Sequence, residues 1–187
     1  MTLATAVRIR TGFEAGDISA VACMHAELYS SAHGFDGATL EAYVAETMAA
    51  LFREPAGGQL WIAESDGRVV GSIGITRDSP TDARLRWFLI EPEARGAGVG
   101  RELIERAMAF CRAQGYDRVS LWTVEGLGAS AHLYAALGFR PVEERPGAGT
   151  WGQPAVEQRW EVDLSGSAAA ASTITDRSAG SRSRSDP

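Results

Sequence analysis

The apolar positions of this chain switch period several times, and each switch marks a change of element. Leu85 to Ile90 is apolar apart from Arg86 and too short for a helix, and Pro92 closes it because proline has no N–H to give to a ladder. A helical period follows from about Gly98 to Gln114, with Val99, Leu103, Ile104, Ala107, Met108 and Cys111 on one face, Glu102 and Arg106 paired on the other, and Gly115 as the stop. Arg118 to Val124 reads as a second strand. Strand, helix and strand at this spacing predict a right-handed crossover and a parallel pair.

Upstream, Val7 to Arg10 is a short alternating strand. A helix runs from about Ile18 to Ser31, with Asp17 as its expected N-cap and Ile18, Val21, Ala22, Met24 and Leu28 as its buried stripe. A second helix reaches about Phe52, with Thr39 as the expected cap. Leu60 to Ser65, Asp66-Gly67 and Arg68 to Thr76 form a hairpin, since a type I′ turn needs positive φ at both central residues. A looser turn from Arg77 to Asp82 returns the chain to the strand ending at Ile90, completing a meander. Downstream come a short helix from about Ala129 to Leu137, a strand from Phe139 to Glu144, a Gly/Pro-rich connection and a last strand from Ala155 to Leu164. The expected fold is α/β (α+β): a mixed sheet of about seven strands, an antiparallel meander plus a central parallel pair, with helices on both faces.

Composition narrows this picture. At 187 residues and 45% hydrophobic content the chain suits one domain with a real core, read as residues 1–164. Residues 165–187 are mostly Ser, Ala, Arg and Gly, too poor in apolar groups to offset the entropy of ordering, and are expected to be a disordered tail. A net charge of −6 makes nucleic acid a poor partner. All 18 basic residues are arginine, so no lysine side chain is available for self-modification. Cys23 and Cys111 are expected as buried free thiols, not a disulfide framework or a metal site. No run approaches the ~18 apolar residues of a membrane span, and no secretory segment is seen, so the expected location is cytoplasmic.

Candidate chemistry sits between the strand at 85–90 and the helix that follows. Glycine at 96, 98 and 100 lets bare backbone approach a ligand, and the first N–H groups of a helix lack internal partners and carry the positive end of its dipole. That combination suits a phosphate. A P-loop requires lysine, which is absent. A Rossmann fingerprint requires G-x-G-x-x-G straight after a first strand, whereas here the spacing is G-x-G-x-G after a meander.

Arg95-Gly-Ala-Gly-Val-Gly100 resembles the Arg/Gln-x-x-Gly-x-Gly/Ala signature of the GNAT superfamily of N-acetyltransferases. Leu133-Tyr134-Ala-Ala-Leu-Gly-Phe139 resembles that family's second motif, and the order of elements agrees over roughly residues 7–164. Several segments, among them His25-Ala-Glu-Leu-Tyr29, Leu85-Arg-Trp-Phe-Leu89 and Glu157-Gln-Arg-Trp160, look like the acetyltransferase domain often fused behind MarR-type regulators. This chain is read without a winged-helix portion, so no DNA-binding role is carried over.

The resemblance implies acetyl-CoA as co-substrate and no metal. It implies a coenzyme site at Leu89, Ile90, Arg95, Gly96, Ala97, Gly98, Val99, Gly100 and Arg101, with pantetheine in a gap between the parallel strands. A backbone N–H at Leu89 or Ile90 would polarise the thioester carbonyl, worth roughly 3 kcal/mol of barrier at comparable oxyanion sites. Tyr134 is the candidate general acid for the departing thiolate, or else it packs the last helix on the sheet. Family members often carry asparagine where this chain has Leu127. Candidate bases are Glu91, Glu125, His25, Asp36 and Glu41, while His33 and His132 read as surface residues. His25, Tyr29, Phe35 and Trp87 are either an acceptor pocket or core. The expected activity is acetyl transfer to the primary amine of a small molecule. The alternative is a catalytically weak acyl-CoA-binding regulatory module. A homodimer stays open.

Overall fold

The computed structural model describes residues 7–126, 128–147 and 154–165; Leu127 and the 166–187 segment lie outside the described residues. The elements run β1 (Arg8–Thr11), α1 (Asp17–His33), α2 (Gly37–Arg53), β2 (Gln59–Ser65), β3 (Arg68–Arg77), β4 (Asp82–Ile90), a single 3-10 turn (Pro92–Ala94), α3 (Val99–Ala113), β5 (Arg118–Val124), α4 (Gly128–Ala136), β6 (Arg140–Pro146) and β7 (Val156–Asp163). The strands form one sheet in the order β1-β2-β3-β4-β5-β7-β6. Among the described residues only β4 and β5 pair in parallel, as the strand–helix–strand unit demands. Among the described residues no helix is long and apolar enough to cross a membrane.

Strand alternation sorts the core into two layers. Trp61, Ala63, Ile73, Ile75, Ala83 and Leu85 point to one face and meet Leu103, Ile104, Ala107, Met108 and Cys111 of α3. Leu60 and Ile62 point to the other and meet Val21, Val44, Met48 and Leu51 of α1 and α2. The β2–β3 turn follows the expected rule, with Asp66 at φ 51 and Gly67 at φ 72.

Three local expectations are corrected. Asp17 is not the cap of α1. Gly16 takes that place at φ 97, and the Asp17 carboxylate turns to Arg10 of β1 in two bonds of 2.6 and 3.0 Å. Arg10 also donates to Glu64 of β2 at 2.6 Å, so one guanidinium ties β1, α1 and β2 together and outcompetes a cap. Thr39 is not the cap of α2. Asp36 accepts from Ala38 N–H, and the Thr39 hydroxyl donates to that same carboxylate. Cys23 is exposed, because it falls on the outer face of α1 beside Glu27; Cys111 is buried as expected.

The departure that matters most is in β4. Ser72 of β3 pairs with Leu89, and Gly74 pairs with Arg86, so Ile73 alone opposes both Trp87 and Phe88. This is a β-bulge. Trp87 adopts φ 50, a costly value for a bulky residue. The buried Ser72 hydroxyl donates to the Trp87 carbonyl at 2.5 Å and holds the distortion. Gly74 makes room for it, since a Cβ there would come within 2.4 Å of the Trp87 ring. The bulge puts two consecutive side chains on one face: Arg86 Nη2 donates to Tyr43 Oη, and Trp87 Nε1 donates to Thr47 Oγ1, one turn apart on α2.

Two tests of this packing are direct. Gly74→Ala is expected to lose about 1–3 kcal/mol of stability by overpacking the Trp87 ring, read from urea unfolding. His25 is buried in α1 with Nδ1 on the Val21 carbonyl, and burial pulls its pKa down to about 4. As pH falls from ~6.5 towards 4 the unfolded chain takes up a proton that the folded chain refuses, so stability is expected to fall by up to about 3 kcal/mol. The urea midpoint should decline over that window in the native chain and much less in His25→Gln.

Candidate active site

The ladder between β4 and β5 covers only Asp82–Arg84 against Arg118–Ser120. Beyond it β4 bends with its bulge while β5 stays on β7 as far as Val124 and Glu157. The opened seam separates two cavities that share Tyr29 and Phe88 in their walls.

The larger cavity, about 790 Å³, takes Leu89 and Ile90 at the end of β4, then Arg95, Gly96, Gly98, Gly100 and Arg101. Gly96 and Gly98 stand at φ 78 and 82, which only glycine holds without strain. Gly98 is the N-cap of α3 and gives no side-chain cap, so the first N–H groups of this helix lie open to a ligand. Arg95 Nε donates to the Ile90 carbonyl at 3.0 Å and pins the loop to the strand end. Ala97 and Val99 do not line the cavity; the Val99 side chain is in the core under α3, which leaves only its N–H to face outward. An anion with apolar neighbours fits this wall.

Glu91 N–H donates to the Val70 carbonyl at 2.9 Å. Antiparallel alternation then turns the Leu89 N–H towards β3 and the Ile90 N–H towards the seam. Of the two N–H groups, that of Ile90 is the one that faces the seam.

The smaller cavity, about 500 Å³, lies on the α1–α2 side of the seam, with His25, Tyr29, Trp87, Trp122 and Tyr134 in its wall. Tyr134 is buried with its ring 6.0–6.4 Å from those of Phe88, Phe139 and Trp160, so its position is set by packing. Its hydroxyl has no hydrogen-bond partner among the described residues. Burial pushes the phenol well above its ordinary pKa and keeps it protonated. Phe35 is not in this wall. It stacks behind Tyr29 at 6.0 Å and belongs with Leu40 and Val124.

The structure brings few of the candidate bases to the seam. Glu91 and Glu125 line neither cavity, Glu41 is exposed on α2, and the Asp36 carboxylate is engaged as a helix cap. The Glu91 carboxyl is raised, by burial and by Glu93 beside it. His25 does line the smaller cavity, as a neutral imidazole: Nδ1 must carry the proton given to Val21 O, which leaves Nε2 as an acceptor. His33 and His132 are exposed as expected, His33 at the rim of the larger cavity.

Sequence reasoning missed Tyr43, Arg84, Arg86, Glu143, Arg145, Glu157 and Arg159, all in the smaller cavity's wall. A signal was present in β7, where Glu157, Arg159 and Glu161 alternate with Trp160 and Val162. The second set packs on the core and the first must face the other way.

Comparisons with known proteins agree with this architecture. Residues 25–139 match the model of the Acetyltransferase (GNAT) family. Human N-acetyltransferase 8B is 37% identical over 89 residues, which are 45% of this chain and 39% of that protein. The chain thus spans about two-fifths of that relative's length. A GNAT-family acetyltransferase structure from Staphylococcus aureus superposes with a TM-score of 0.69 at 18% identity, covering 85% of this chain and 99% of the other. The structure of yncA from Salmonella typhimurium, solved with its cofactor acetyl-CoA, superposes at 0.64 with 22% identity, covering 85% and 94%. At these identities the superpositions speak for the fold. With the family model covering more than half of the sequence, the chain belongs to the GNAT family of acetyltransferases.

Proposed function

We propose that this protein moves an acetyl group from acetyl-CoA to the primary amine of a small molecule by direct transfer. The observation that carries this reading is the seam itself: a cavity walled by a glycine-rich helix start meets a cavity containing a buried, protonated tyrosine. Acetyl-CoA supplies an activated thioester whose sulfur leaves as a thiolate.

The backbone N–H groups of residues 96–101 would hold the pyrophosphate at the positive end of α3, with Arg95 and Arg101 adding charge. The Ile90 N–H would donate to the thioester carbonyl oxygen as negative charge builds there. Tyr134 would give its proton to the sulfur as the C–S bond breaks, and the proton shed by the newly acylated nitrogen would make good that loss and restore the phenol. The burial that raises the phenol also raises the thiolate's proton affinity, so the transfer stays feasible at neutral pH. The acceptor must reach the carbonyl as a free amine, and the neutral His25 places no competing positive charge in its path.

Calorimetry with acetyl-CoA followed by a thiol-release assay over an amine panel tests this function. Binding with release supports it; binding without release of thiol for any amine would point to a regulatory acyl-CoA-binding module instead. Tyr134→Phe is expected to lower kcat by about a hundredfold or more while leaving acetyl-CoA affinity within about twofold. Turnover within about twofold of the native enzyme would remove Tyr134 from the chemistry.

A further inference from the structure

Four guanidinium groups stand in the wall of the smaller cavity, and three of them have carboxylate partners. Arg84 pairs with Asp78 at 2.7 Å, Arg145 with Glu157 at 2.8 Å, and Arg159 with Glu143 at 3.0 Å and Glu161 at 2.8 Å. Arg86 is different. Among the described residues its only hydrogen bond is from Nη2 to the Tyr43 oxygen at 2.6 Å, and its guanidinium lies 5.6 Å from the ring centres of Tyr43 and Trp87. No carboxylate of the described residues comes within ion-pair distance of it.

This cation is held in place. The β4 bulge sends Arg86 and Trp87 to the same face, and α2 meets them with Tyr43 and Thr47. Because the Tyr43 oxygen accepts from Arg86, its own O–H is left to donate. A guanidinium and a hydroxyl side by side present converging donors, the arrangement that suits a carboxylate. With the other three guanidinium groups already paired to carboxylates, the one cation left in this wall among the described residues matches a single negative charge.

We infer that Arg86, with the Tyr43 hydroxyl, binds the carboxylate of the acceptor, which makes the acceptor an amine that also carries a carboxylate. That the bound molecule receives an acetyl group rests on the function proposed above; the anion site does not. Arg86 is then the residue that selects among amines, and the seam aromatics Trp87 and Tyr29 cover the carbon skeleton between carboxylate and nitrogen.

The test is calorimetry on the full chain saturated with coenzyme A, titrated with phenylalanine, γ-aminobutyrate and ε-aminocaproate, each beside its primary amide. At least one acid is expected to bind about ten- to a hundredfold more tightly than its amide, the range of a hydrogen bond to a charged group. Arg86→Met should abolish that preference, and Arg86→Lys should restore part of it. Tyr43→Phe, which keeps the ring, should cut it about threefold or more and serves as the reading if Arg86→Met fails to fold. Acids and amides binding alike throughout, or a preference that survives both Arg86→Met and Tyr43→Phe, would overturn the assignment. Acid-selective binding without thiol release would refute acetyl transfer and leave the anion site standing. Thiol release with no acid preference would do the reverse.

Discussion

The hydrogen bond from the Ser72 hydroxyl to the Trp87 carbonyl holds a tryptophan at positive φ in the middle of a strand, a conformation that costs of order 1–3 kcal/mol and persists only where its surroundings impose it. Here they do: Gly74 leaves space for the ring, Thr47 takes the indole N–H, and β3 keeps its ladder on both sides of the extra residue. Most of what distinguishes the site follows from this one bond. The bend it maintains ends the β4–β5 ladder after Arg84. The shift in alternation aims the Ile90 N–H at the resulting gap and brings Arg86 and Trp87 to α2 together.

The two sides of the gap are stabilised in different ways. The side of α3 offers backbone: a helix start with a glycine N-cap and no side-chain cap, a sink for negative charge that needs no buried cation. The side of α1 and α2 offers side chains, mostly arginines already neutralised by strand carboxylates. Between them, Tyr29 and Phe88 belong to both walls, and Tyr134 is wedged among three aromatic rings. The position of Tyr29 depends on α1, and α1 is anchored at its start by the Arg10–Asp17 pair, whose carboxylate is almost fully buried. Breaking such a pair strands a buried charge, so a feature far from the gap holds one of its walls in register.

Much of this is legible in the sequence. The Asp66-Gly67 turn, the period change at residues 90–99 and the closing glycines gave the element order, because each rests on local backbone chemistry. The glycine-rich loop was found for the same reason. What escaped was non-local. The sequence Leu85-Arg-Trp-Phe-Leu-Ile90 is apolar apart from Arg86 and reads as a regular strand, and only pairing with Ser72 and Gly74 reveals the extra residue. Asp17 looked like a cap because the chain does not announce that Arg10 will lie beside it. Arg145, Glu157 and Arg159 were given no role, since nothing in their own segments says that β7 inserts next to β5 and turns them into the cavity. Glu91, Glu125, Asp36 and Glu41 line neither cavity, and their positions in the chain say nothing of which wall an acid will face.

The central claim is that the bulged, parted β4 is where the coenzyme's reactive end lies. A crystal structure of the complex with acetyl-CoA tests it most directly. The account predicts the pantetheine between β4 and β5, the pyrophosphate on the backbone of residues 96–101, and the thioester oxygen within about 3 Å of the Ile90 nitrogen. A coenzyme bound with its thioester outside the gap, or with its carbonyl served by another donor while Ile90 stays unengaged, would contradict it.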